Sequence, residues 1–156
     1  MTQKLFAEIT TDPLGRGYTG MTDQQIADSL NAVDRTRLNV LSSAELLAWS
    51  GAGADDASGV ASRYERIETA ASSHASGAVR GACKAAIRLI DRDATELDLS
   101  LPDRATMVAA LVAGGVLTAA EQTELVAMAT ENISRATEIG IGVVYAADVT
   151  GANTNA

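Results

Sequence analysis

The sequence predicts a mainly α-helical protein: a small helical bundle with extended N- and C-terminal arms and at most a few short strands. Apolar residues recur at spacings of three and four along most of the chain, as in amphipathic helices. Alanine is abundant and there are only one Trp, three Tyr and one Phe in 156 residues, which favours close packing of helices through small side chains. Residues 101–142 also carry the start and stop signals of two consecutive helices.

Within residues 101–142, Pro102 suits the first turn of a helix, where its missing N–H would have no partner anyway. The pair Gly114-Gly115 allows a left-handed end to that helix. Thr118 and Glu121 then form a T-x-x-E capping box that starts a second helix. Its apolar stripe continues to Ile139, so we expect roughly six turns of helix before Gly140.

Similar patterns predict the remaining elements. Residues 35–41 alternate as in a strand, and residues 95–101 suit either a short strand or an extended linker. The C-terminal residues 151–156 are expected to be disordered. The first expected helix covers residues 4–10. The second is capped by Thr22 or Asp23 and carries Ile26, Leu30 and Val33, and the third is capped by Ser42 or Ser43. Further helices are expected over residues 54–74, where Ser and Gly make the helix weak, and over residues 77–90.

These elements suggest three parts: an N-terminal arm with short helices (1–41), a helical body (42–142) and a C-terminal arm (143–156). The arm segments 12–21 and 141–145 hold apolar side chains but too few of them to form a core. We therefore expect both arms to be mobile in the isolated protein and to become ordered against partner proteins. The candidate contact residues are Leu14, Tyr18, Met21, Val143, Val144 and Tyr145.

Charge and composition argue against several classes of protein. The net charge of −8 and the pI near 4.5 repel DNA phosphates, and the 12 Lys and Arg are scattered along the sequence. No run approaches the ~18 apolar residues of a membrane span, and the N-terminus lacks the apolar segment of a signal peptide. We therefore expect that the protein has no membrane partner and that it is made in the cytoplasm.

No catalytic, cofactor-binding or metal-binding residue is predicted. His74 and Cys83 are the only residues of their kinds, so one chain cannot assemble a His/Cys zinc site, and Cys83 fits a helix core. The acidic run Asp91, Asp93, Thr95 and Glu96 lacks the glycine and the final glutamate of a calcium loop. The glycines around residue 52 lack the last glycine of a dinucleotide loop. An enzyme is accordingly disfavoured.

A nucleic-acid-binding regulator is one alternative. Residues 117–140 resemble a helix-turn-helix motif, with Ile133, Ser134 and Arg135 where a recognition helix would lie. The turn of that motif normally contains glycine, whereas residues 127–130 here favour helix. The acidity of the chain further weakens this hypothesis.

Two segments resemble a family of small proteins encoded among the structural genes of tailed bacteriophages. The resemblance lies in residues 8–37, which include DPLGRGYTGMTD, and in residues 110–149, which include the GVLT-x-x-E helix start. It covers somewhat under half of the chain. It implies a structural component of the virion, in contact with other virion proteins and copies of itself, and it carries over no catalytic residue. A neck, connector or tail protein in a homo-oligomeric ring is expected, and a capsid-associated minor protein is the alternative.

Overall fold

A computed structural model describes residues 2–53, 59–92 and 96–154. The chain divides into two compact units, which we call the terminal unit (Met1–Arg37 with Glu131–Ala156) and the central unit (Leu38–Thr130). Helices dominate the described residues and the strands are short, which confirms the predicted mainly α class. No helix in the described ranges is both long enough and apolar enough to cross a bilayer.

The central unit is one continuous stretch of chain that folds as packed helices with a very small antiparallel sheet. The sheet joins Leu41 to Leu97 and Ser42 to Glu96. The elements of this unit are β2 (Leu41–Ser42), α3 (Ser43–Gly51), α4 (Arg63–Ser73), α5 (Gly77–Asp91), β3 (Glu96–Leu97), α6 (Pro102–Ala113) and α7 (Ala119–Ala129). Helix α5 lies at the centre, because it packs against α3, α4 and α6.

Local sequence signals set the helix starts of this unit. Pro102 occupies the first position of α6, and a complete capping box of Thr118 and Glu121 opens α7, both as predicted. Ser42 caps α3. The apolar faces meet in one core that includes Leu46, Trp49, Ile67, Cys83, Ile90, Leu111 and Leu125. The weak helix expected within 54–74 begins only at Arg63, and residues 54–58 of that prediction lie outside the described ranges.

The terminal unit combines both ends of the chain. Its elements are α1 (Thr2–Thr11), α2 (Asp23–Asn31), β1 (Val33–Leu38), β4 (Thr130–Ser134), α8 (Arg135–Glu138) and α9 (Ala146–Thr154), except that the last residue of β1 and the first of β4 fall in the central unit. Strands β1 and β4 form a two-stranded sheet, and α9 packs against α1 and α2. The core of this unit includes Leu5, Tyr18, Ile26, Leu30, Ala136, Val144, Val149 and Ala152.

The prediction of extended arms is therefore wrong. Tyr18 from residues 12–21 and Val144 from residues 143–145 are only 2% and 1% exposed, and both belong to the same core. The C-terminal segment 151–156 was expected to be disordered, yet α9 continues to Thr154. Val149 and Ala152 of α9 are buried, so tertiary packing compensates for the poor helix propensity of its Thr, Gly and Asn residues. Residues 155–156 lie outside the described ranges.

The prediction of a six-turn helix between Thr118 and Gly140 is also wrong, because α7 ends at Ala129 and β4 follows. Thr130 has an extended backbone, and its hydroxyl donates a 2.7 Å hydrogen bond to the Val126 carbonyl at the end of α7. Ser134 then caps the four-residue α8 by accepting from the Thr137 N–H. Ile133 and Ser134 thus lie in a strand, and the recognition helix of the predicted helix-turn-helix motif does not form.

Candidate interaction surface

The structure separates the six predicted contact residues into exposed and buried ones. Val143 and Tyr145 are 64% and 67% exposed, and Leu14 is partly exposed. Met21 is half-buried against the core of the terminal unit. Tyr18 and Val144 are core residues, so they offer no surface to a partner in this conformation. The candidate interaction surface consequently centres on Val143 and Tyr145.

The segment that presents these two side chains is held by Asn31, the last residue of α2. The Asn31 side-chain amide donates to the Val144 carbonyl at 2.6 Å, and its oxygen accepts from the Val144 N–H at 3.0 Å. Val144 is buried, whereas its two neighbours Val143 and Tyr145 are exposed. The exposed pair is therefore fixed in position by a bidentate contact and a buried neighbour.

Val33 extends this surface. It is 67% exposed at the start of β1, and it lines a groove of about 360 Å³ together with Val143. The groove is also lined by Asn31, Asn132 and Thr137. Large exposed apolar side chains that stand close together are typical of protein contact sites, whereas isolated ones are common on any surface. We define the candidate interaction surface as Val33, Val143 and Tyr145.

Ion pairs join several elements of the same unit. Arg135 donates to the nearly buried Glu8 at 2.8 and 2.6 Å and also to Glu138 at 2.9 Å. Arg35 of β1 contacts Glu138 as well. Hydrogen bonds from Arg35 and Arg135 lower the pKa of Glu138 to about 2. The network connects α1, β1 and α8 through ion pairs, so it holds together elements that lie far apart in the sequence.

Tyr18 contributes to the electrostatics of the core of this unit. Burial, followed by the negative charge of Glu8, raises the pKa of Tyr18 to about 12, so its hydroxyl stays protonated. Asp12 adopts a positive φ of 40°, and its carboxylate accepts from the N–H groups of Arg16 and Gly17 at 2.8 and 2.7 Å. These contacts give residues 12–18 a defined backbone path.

Two residues of the surface architecture were missed from the sequence. Asn31 lies 113 positions from Val144, and no local pattern indicates their contact. Val33 was assigned to the apolar face of the predicted helix that is capped by Thr22 or Asp23, because it follows Leu30 at a helical spacing. The strand-like alternation of residues 35–41, close after Val33, was the available signal that the helix ends earlier.

The reactive residues considered from the sequence take structural positions. Cys83 is fully buried in the core of the central unit, as predicted, and burial raises the pKa of its thiol. The His74 ring contacts the Gly114 carbonyl through Nε2 at 3.2 Å, and its Nδ1 accepts from the Ser76 N–H. In the described part of the chain, no three His, Cys, Asp or Glu residues are grouped as metal ligands. Asp93 and Thr95 of the acidic run lie outside that part.

Comparisons of the chain with protein-family models, with curated proteins and with solved structures found no match.

Proposed function

We propose that the protein is a non-enzymatic structural component of a tailed-phage virion, acting in the neck, connector or tail through contacts between subunits. The observation that carries this proposal is the resemblance of residues 8–37 and 110–149 to small proteins encoded among phage structural genes. Residues 8–37 include Asn31 at the end of α2 and Val33 at the start of β1. Residues 110–149 include Val143 and Tyr145. The resembling segments therefore contain the whole candidate interaction surface.

The geometry of that surface supports a role in assembly. Val143 and Tyr145 are exposed, yet Asn31 holds their backbone, so little conformational freedom is lost when they bind. Tyrosine is favoured in protein interfaces because it offers a large contact area with few rotatable bonds. In a ring of identical subunits, the surface would contact a different face of the next copy, because heterologous contacts close rings.

Mass spectrometry of purified particles of the encoding phage tests the proposal. We expect the chain at a fixed copy number per particle, in complete virions and in isolated tails or necks. Detection in tailless heads alone would instead support a capsid-associated protein. Absence from particles that contain the other structural proteins at normal ratios would contradict a virion role.

A matched pair of variants tests the surface itself. Val143→Asp places a charge in the proposed contact, whereas Val40→Asp makes the same change at an exposed valine of the central unit. We expect Val143→Asp to abolish incorporation into particles while its circular dichroism melt matches that of the parent. Val40→Asp should be incorporated normally. Equal incorporation of both variants would show that Val143 is not a contact.

A further inference from the structure

The terminal unit carries uncompensated negative charge on α2 and α9, the two helices next to the candidate interaction surface. Each arginine of this unit contacts a carboxylate, and its one lysine, Lys4, donates to the Ile139 carbonyl. Three carboxylates on α2 and α9 have no ion pair within the described ranges, namely Asp23, Asp28 and Asp148. The excess of acidic side chains in this unit therefore lies mainly on these two helices.

Two contacts show that α2 and α9 run side by side in opposite directions. Asn31, at the end of α2, binds the backbone of Val144, which lies just before α9. Asp23, at the start of α2, accepts a hydrogen bond from the Thr150 hydroxyl in α9. The end of α2 therefore lies beside the start of α9.

Asp28 and Asp148 consequently lie close to the exposed segment 143–145. Asp28 precedes Asn31 by three positions on α2, and side chains at this spacing are neighbours on a helix. Asp148 lies in the first turn of α9, and its carboxylate accepts from the Tyr145 N–H at 2.9 Å. The apolar surface is thus bordered by negative charge from two helices.

Local helix chemistry explains only one of these two carboxylates. Asp148 pairs with a backbone N–H at the start of α9, where the helix dipole favours an acid. Asp28 is exposed in the last turn of α2, where the dipole disfavours an acid, and its carboxylate accepts only from the Gln24 amide. A cationic partner outside the chain would make the charge of Asp28 favourable.

We propose that the candidate interaction surface binds a basic segment of a different virion protein, in which Lys or Arg side chains flank an apolar one. The apolar side chain packs on Val143 and Tyr145, and the basic side chains face Asp28 and Asp148. Complementary charge selects the partner and speeds its encounter. Between the two kinds of partner expected for this surface, charge favours a different protein over a second copy, because two copies of net charge −8 repel each other. The inference rests on the proposed contact role of the surface and names the chemistry of the partner.

Competition for incorporation into particles tests the role of charge. Parent and variant are produced together in cells infected by a phage that lacks its own copy of the gene, and mass spectrometry of purified particles gives their ratio. Asp28→Lys should be incorporated about tenfold less than the parent, because like charges that face each other across an interface are strongly unfavourable. Asp28→Glu keeps the charge and should be incorporated like the parent.

Glu68→Lys is the matched control for this charge reversal. Glu68 is an exposed carboxylate on α4 of the central unit, and it has no ion pair within the described ranges. We expect it to be incorporated like the parent. Circular dichroism checks the fold of each variant, and the dipole of α2 favours a cation at position 28. Asp28→Asn, which keeps an acceptor for Gln24, should show a smaller loss and replaces Asp28→Lys if that variant melts early.

Sedimentation velocity of the purified protein distinguishes the two kinds of partner. Equal sedimentation of the parent, Val143→Asp and Asp28→Lys supports a partner other than a second copy. Dissociation of a parent oligomer by either variant would place a second copy on the surface and overturn the proposal. Equal incorporation of Asp28→Lys and Glu68→Lys, with Val143→Asp excluded, would also overturn it while the virion contact itself stands. Normal incorporation of Val143→Asp would remove both the contact and its basic partner.

Discussion

The two units of this protein form cores of the same kind from very different arrangements of chain. The central unit is continuous, and its helices follow one another along residues 38–130. The terminal unit joins the two ends of the chain, and its key contacts span large separations: 127 residues for Glu8 with Arg135 and 113 for Asn31 with Val144. Distant contacts have a larger entropic cost of closure. The terminal unit compensates with a nearly buried ion pair and a bidentate amide contact.

The two units also differ in how polar groups are used. In the central unit, Arg63 stacks over the Trp49 ring at 4.8 Å and contacts Glu121 and Glu124, at the edge of an apolar core. In the terminal unit, Glu8 is 5% exposed and Arg135 bridges it to Glu138. The buried partner is therefore the cation in the central unit, where Arg63 is 8% exposed, and the carboxylate in the terminal unit. Buried pairs specify a unique arrangement, but they make the unit sensitive to the loss of one partner.

Core charges should produce the largest effects and show whether the units unfold separately. Leu111→Asp in the central core and Leu30→Asp in the terminal core each bury an unpaired carboxylate, which costs several kcal/mol of a total of ~5–15 kcal/mol. Trp49 is the sole tryptophan and lies in the central core, so its fluorescence reports on that unit alone. We expect Leu111→Asp to abolish the native Trp49 signal and Leu30→Asp to preserve it. Loss of that signal in both variants would mean that the units unfold as one.

Arg135→Ala should destabilise the terminal unit by roughly 3–5 kcal/mol, because it leaves the Glu8 carboxylate buried without its partner. Arg37→Ala is the control, since the pair of Arg37 with Glu131 is about half exposed and such pairs contribute about 0–1 kcal/mol. Urea unfolding followed by far-UV circular dichroism measures both. Similar losses for the two variants would refute the special role of the Glu8 pair.

Acid should weaken both units in the same pH range. Hydrogen bonds from arginines lower the pKa of Glu138 to about 2, and in Glu121 the raising effect of burial is outweighed by the Thr118 N–H and Arg66, which also gives a pKa of about 2. A carboxylate with a lowered pKa stabilises the fold above its unfolded pKa, so this contribution is complete above 4.5 and is lost as the pH falls toward 2.

Glu121→Gln and Glu138→Gln separate the two contributions. Each variant should be less stable than the parent at neutral pH and should lose less stability on acidification. Urea midpoints from Trp49 fluorescence should respond to Glu121→Gln, whereas Glu138→Gln should affect only the far-UV circular dichroism signal. An unchanged pH dependence in both variants would contradict the assignment to these carboxylates.

The contrast between the units also explains what the sequence could predict. Capping boxes and helix stops are local, so the start of α7 at Thr118 and the end of α6 at Gly114 were correct. The same local logic extended α7 through residues 130–134, because Ile133 continues its apolar spacing. Only pairing with β1, a contact between distant segments, makes this stretch a strand.

The smallest expected effect concerns the contact that shapes the candidate interaction surface. Asn31→Ala removes the side-chain amide that pairs with both the N–H and the carbonyl of Val144. An unpaired buried polar group costs about 1–3 kcal/mol. Val144 keeps its apolar contacts, so we expect residues 143–145 to open locally while the rest of the unit stays folded. Amide hydrogen exchange should then accelerate at these residues, with little change in α1 or α2.

Asn153→Ala makes the same substitution at an exposed position of α9, and it should leave exchange at residues 143–145 unchanged. If the surface works because it is held in place, Asn31→Ala should also weaken incorporation into particles, although Val143 and Tyr145 are intact. A flexible segment must lose more conformational entropy on binding than a fixed one. Faster exchange with undiminished incorporation would show that the side chains alone determine the contact. Unchanged exchange would mean that burial of the Val144 side chain suffices to hold the segment, and that the amide contact is secondary.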